Sequence, residues 1–139
     1  MIRGIQPVEI TPDEFEQQVL AWLLEVSGDL KNFSVNHREQ LSSSSGEYEI
    51  DIVARFRVFV EAEVTVLVEC KRYNSPVKRD IIMLLEGKVR ELGAHKGMVV
   101  STSGFQSGAI EYAGAHGIAT VTLQDGKSNW FTKSYDHDI

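Results

Sequence analysis

From Phe15 onward, apolar side chains recur at spacings of three and four (Phe15, Val19, Trp22, Leu23, Val26), the period of a helix that buries one stripe. Thr11-Pro12-Asp13-Glu14 introduces the run with a capping-box pattern: a hydroxyl at the cap, proline at the first helical position and a carboxylate at the third. Gly28 supplies the stop. Glu16 lies beside the stripe below Leu20 and Leu23, and is read either as a functional carboxylate or as a boundary residue whose head group reaches water. The period then changes from 3.6 to 2. Residues 31 to 38 predict a short strand carrying Phe33 and Val35, and Leu41 to Gly46 a flexible, serine-rich loop. In the next strand Tyr48, Ile50, Ile52 and Ala54 are expected on one face and Glu49, Asp51 and Val53 on the other. A third strand, 64 to 71, sets Val64, Val66, Val68 and Cys70 against Thr65, Leu67, Glu69 and Lys71. Residues 57 to 63 must turn the chain, yet they carry neither Gly nor Pro to mark where.

Pro76 is expected to start a second helix with Val77, Ile81, Leu84, Leu85 and Leu92 inward and Gly93 ending it. Gly97 to Ser101 is a short buried strand, Gln106 to His116 a helix of small residues closed by Gly117, and Ile118 to Leu123 another strand. The chain is thus α/β with the order αβββαβαβ. Asp125-Gly126 is placed to turn a hairpin back through Trp130 and Phe131, and the last residues are expected to fray.

Length adds that 139 residues suit one domain, with its core over about 11 to 123 and a hairpin or tail over 124 to 139. The lone Cys70 has no partner in the chain and no charged-then-apolar leader opens it, so a reducing cytoplasm is the expected location. No apolar stretch is long enough to span a bilayer. The net charge of −6 conceals a division of sign. Residues 71 to 96 hold seven basic side chains (Lys71, Arg72, Lys78, Arg79, Lys88, Arg90, Lys96) against three acids, whereas residues 46 to 69 are dominated by acids. Two solvated faces would explain this, and so would a cation site beside a phosphate-facing surface. Arg72, Lys78 and Arg79 are the DNA-binding candidates on that basic stretch.

Val68-Glu69-Cys70-Lys71 and Glu49-Ile50-Asp51 carry the chemistry. The strand period puts Glu69 and Lys71 on one face, about 7 Å apart along the strand. With Asp51 on the same face of the neighbouring strand, two carboxylates and an ammonium converge, and a hard divalent ion is their natural occupant. Mg²⁺, or Mn²⁺ in its place, is therefore the expected cofactor, with Asp51, Glu69 and the backbone carbonyl of Cys70 as ligands. Lys71 is expected to orient the attacking water, and Glu16 to bind a second ion or orient a water. The ordinary reading of an E-x-K pair is an exposed charged edge strand. His37, His95, His116 and His137 lack zinc-ligand spacing and are expected in solvent or loops. Cys70 reads as core packing. Ser101, Thr102 and Ser103 are candidates to meet a DNA phosphate or to close a turn, and Ser103 is carried forward as DNA-binding. The absence of a G-x-x-x-x-G-K loop argues against intrinsic ATP hydrolysis.

Four ordered blocks, Thr11 to Glu16, Glu49 to Ala54, Glu69 to Tyr73, and Val99 to Phe105 with Ala109-Ile110, resemble the Mrr-like restriction endonucleases of the PD-(D/E)xK superfamily. The resemblance covers roughly residues 11 to 123. It implies a restriction-endonuclease-like core with a mixed central sheet flanked by helices, a divalent-metal site and cleavage of DNA. Glu69 stands where Mrr-like members commonly carry glutamine, and Ser45 to Glu49 replace a glycine-rich run. The expected partners are DNA, a second copy in a homodimer, and a separate recognition domain or subunit. Two alternatives share the fold: a resolvase of branched DNA, and a non-catalytic DNA-binding module.

Overall fold

A computed structural model describes residues 9 to 133; the expected frayed end and His137 lie outside these residues. The capping box forms as read. The Thr11 N–H donates to Glu14 Oε1 (2.8 Å) and the Glu14 N–H to Thr11 Oγ1 (3.0 Å), fixing the start of α1 (Pro12–Val26). Phe15, Val19, Trp22 and Leu23 are buried, but Val26 is 55% exposed because the last turn of the helix no longer faces the sheet.

Two long strands follow, β1 (Lys31–Ser43) and β2 (Gly46–Val58), paired antiparallel down to Ser43 opposite Gly46. The serine run is therefore the end of a ladder and its turn, not a flexible loop. Backbone pairing continues through it, and Ser43 Oγ accepts the Ser45 N–H at 3.2 Å. β3 (Ala62–Lys71) returns antiparallel after a turn in which Phe59 and Val60 hold φ of 50° and 78°. Glycine usually fills such left-handed positions, which is why the turn left no signal in the sequence.

α2 (Arg79–Glu91) begins three residues later than Pro76 suggested. The Val77 N–H donates to the Gly104 carbonyl and its own carbonyl accepts from the Gln106 N–H, both at 2.9 Å, so Val77 is tied to a neighbouring segment and cannot join a helical turn. The inward stripe shifts accordingly: Ile82 and Leu85 are buried, while Leu84 is exposed. Then come β4 (Lys96–Ser101), α3 (Ser107–His116), β5 (Ile118–Gln124) and β6 (Lys127–Lys133), the last two forming the expected hairpin. None of these helices is long and apolar enough to cross a membrane.

The strands lie in the spatial order β1-β2-β3-β4-β5-β6, parallel from β3 to β5 and antiparallel elsewhere, a mixed sheet. On one face α1 packs over Ile52, Val68, Val100 and Val121. On the other, α2 and α3 cover Ile50, Val53, Leu67, Val99 and Ile118. Gly97 lets α2 approach: a Cβ there would lie 2.9 Å from Ile118 Cδ1 and 3.0 Å from Val89 Cγ2, closer than atoms pack.

These two cores correct one expectation about β2. Ile50, with Tyr48, joins the α2 and α3 side, whereas Ile52 joins the α1 side, so the strict alternation breaks at Asp51. On β1, Arg38 lies between the residues paired with Ile50 and Ile52 and has φ 55°, so both strands depart from regular geometry there.

Candidate active site

That break opens the sheet. β2 pairs with β3 only as far as Ile52 opposite Val68, while β3 runs on beside β4 to Lys71 opposite Ser101. Past the end of the ladder the Cys70 N–H donates to Asp51 Oδ2 at 2.9 Å, a side-chain bond in place of a backbone one. Asp51 is thereby held beside Glu69, close enough for its charge to act on that carboxyl.

Glu69 is buried at 6% exposure. Burial first and then the charge of Asp51 push its carboxyl up to about 7, while the ammonium groups of Lys88 and Lys71 act in the opposite direction. A buried acid beside a second carboxylate does not ionise cheaply unless a cation joins them. Lys71 ends β3 opposite Ser101, two residues beyond Glu69, and its charge acts on that acid. Lys88 was not foreseen as a site residue: it comes from α2, and its Nζ lies 3.4 Å from Glu69 Oε1 and 5.9 Å from the centre of the Tyr48 ring.

Glu16 sits on the α1 side and is also buried. Its Oε1 meets His37 Nε2 at 2.6 Å and Arg38 Nε at 3.3 Å, and Arg38 Nη2 reaches Asp13 Oδ1 at 2.7 Å. His37 is thus a half-buried strand residue with a carboxylate partner. The expectation of a solvent or loop position fails because α1 lies over this side of β1 and sets Glu16 against the imidazole. His95 and His116 are exposed, near the starts of β4 and the end of α3, as expected. Cys70 links the two groups of acids. Its buried thiol is pushed far up by desolvation, then by the charges of Asp51, Glu16 and Glu69 in that order. A thiol so placed is core packing, not a nucleophile.

The candidate DNA contacts fall in the loop after β3 and at the start of α2. Lys78 and Arg79 are exposed, and Arg72 keeps a buried Nε with no hydrogen-bond partner. Ser103 differs: its hydroxyl donates to the Ser75 carbonyl at 2.6 Å and its N–H to Ser101 Oγ at 2.9 Å. Its proton closes a loop and is not offered to a phosphate in this arrangement.

Two donor sets invite a metal. Asp13, Glu16 and His37 bring ligand atoms within 4.8 Å of one another, but the Arg38 guanidinium already bonds both acids. Asp51 and Glu69 offer only oxygens, which suits a hard divalent ion, and their mutual repulsion is not cancelled.

The Mrr_cat family model, described as restriction endonuclease, matches residues 8–128. The chain belongs to this family. The fold of this Mrr-type domain is similar to that of a crystallised protein of unknown function, AF1548, at 25% identity and TM-score 0.62 over 78% of this chain and 56% of that one. It also matches the DNA modification-dependent restriction endonuclease AspBHI, at 16% identity and TM-score 0.48 over 88% of this chain and 35% of that one. EndoMS in its apo form matches at 17% and 0.46, over 86% of this chain and 49% of that one. The Mrr-type chain spans about half the length of these proteins or less. No curated protein matches it.

Proposed function

We propose that this Mrr-type domain is a Mg²⁺-dependent endodeoxyribonuclease of the type IV restriction class, working in the cytoplasm as a single domain. The observation that carries the reading is the buried Glu69 with Asp51 beside it where β2 leaves β3, Asp51 fixed by the Cys70 N–H and Lys88 reaching Glu69 at 3.4 Å. Asp51, Glu69 and the Cys70 carbonyl are the assigned ligands. A Mg²⁺ or Mn²⁺ ion held there supplies Lewis acidity, polarising the scissile phosphate and lowering the pKa of the attacking water. Asp51 keeps one oxygen on the Cys70 N–H, which fixes the direction of the other. Lys71 orients the water and offsets the charge that develops on the phosphate as the P–O bond breaks. Glu16 orients a further water from the α1 side. Arg72, Lys78 and Arg79 hold the DNA backbone, and target choice comes from a separate recognition domain, a separate subunit or a second copy.

The test is nicking of supercoiled plasmid, with Mg²⁺ and with EDTA, by the native chain and by Lys71→Ala. Cutting is expected only with the metal, and the substitution is expected to lower it by roughly 10²-fold or more. Metal-independent cutting, or equal rates for the two chains, rejects the mechanism.

A further inference from the structure

Lys88 belongs to α2, an element separate from the two strands that carry Asp51, Glu69 and Lys71, yet it reaches the buried acid at 3.4 Å. Its charged neighbours on the helix are paired elsewhere. Arg90 bonds Glu86 at 2.6 Å, and Glu91 takes the Tyr48 hydroxyl. Outward from Glu69, Lys88 lies along the Tyr48 ring and lines a groove of about 560 Å³ together with Met83, Leu84 and Gly87. The ammonium thus has an inner station on a carboxylate and an open path past an aromatic face.

We infer that Lys88 is the resident counter-ion of Glu69, that an entering divalent ion displaces it, and that the displaced ammonium then contacts a DNA phosphate in the Tyr48 groove. The inference rests on the metal-dependent reading above. An ammonium and a divalent ion sharing one shielded carboxylate oxygen repel each other, so one must leave. The four-carbon stem of lysine lets the head group swing without moving α2, and the energy of its inner contact is subtracted from metal binding. Metal loading and DNA grip are then coupled through one side chain, because the ion that prepares the centre also frees the cation that holds the substrate.

Mn²⁺ titration calorimetry on the intact chain tests the first half, using the native protein, Lys88→Gln, Lys88→Arg and Asp51→Asn. Lys88→Gln is expected to bind Mn²⁺ roughly tenfold tighter, and Lys88→Arg, which keeps the charge, close to native. Duplex binding with Ca²⁺ tests the second half. There Lys88→Gln should bind more weakly, with a salt dependence shallower by about one phosphate contact. If the native chain shows an Asp51-dependent Mn²⁺ site and Lys88→Gln binds the ion no tighter, or if its salt dependence is unchanged, the role of Lys88 is overturned while the metal centre stands. If neither chain shows an Asp51-dependent site, both readings fall together.

Discussion

Two clusters of acids flank Cys70, one on each face of the sheet, and they are finished differently. On the α1 side, Asp13 and Glu16 are answered by His37 and by a guanidinium that bonds both. On the α2 side, Asp51 lies beside the buried Glu69, and the Lys88 ammonium stands 3.4 Å from that acid. The first cluster is electrostatically complete without any ligand. The second holds one carboxyl near 7, raised first by burial and then by the charge of Asp51, against which the lysines act. Count of ligand side chains alone, three against two, would favour the first as the ion site, and the distribution of counter-charges favours the second.

The largest effect that divides the two is expected on DNA cleavage. Asp51→Asn keeps an oxygen for the Cys70 N–H, so the chain should fold while plasmid cutting falls by roughly 10³-fold. Glu16→Gln should lower cutting only by about tenfold, as outlying hydrogen-bond partners of such sites do. Equal losses from the two substitutions in one assay would erase the distinction.

Stability against pH gives the next effect. An unfolded glutamate titrates near 4.5 and folded Glu69 near 7, so between these values the folded state keeps a proton that the unfolded state has lost. The metal-free protein therefore loses stability as pH rises through that window, by up to about 3 kcal/mol. Glu69→Gln should melt higher than the native chain in EDTA at about pH 8 and at the same temperature at about pH 5. A melting curve for the native chain that does not respond to pH over that range would show that the second cluster is balanced after all.

The smallest effect is the most pointed. Arg38→Ala removes the charge that completes the α1 cluster while leaving its three ligand residues. A second, weaker Mn²⁺ equivalent should then appear in calorimetry. A single equivalent, as in the native chain, would mean that geometry and not the arginine keeps ions out.

Much of this was readable from residues wherever one element decides the outcome. The capping box, the Gly93 and Gly117 stops, and the alternation that sends Val68 and Cys70 to one core and Leu67 to the other depend only on local period, and each forms as expected. The failures lie where two elements must meet. Lys88 looks like any solvated helical lysine until α2 is laid over the opened sheet. Ile50 and Ile52 obey a strand's period on paper, but the slip at Asp51 sends them to opposite cores. His37 gained its role when α1 was laid over β1 and brought Glu16 to the imidazole, and β1 itself runs five residues beyond the expected end at 38 because β2 pairs with it down to the serine turn. Val77 left the helix because Gly104 and Gln106 claimed its backbone.

The single thiol of the chain turns this architecture into an instrument. Sealed at 9% exposure and kept protonated by burial and by negative charges, it should ignore alkylating reagents while the sheet is closed. Its labelling rate then reads how often β3 is laid bare, so a mass shift of one adduct reports opening at the heart of the domain without any engineered probe.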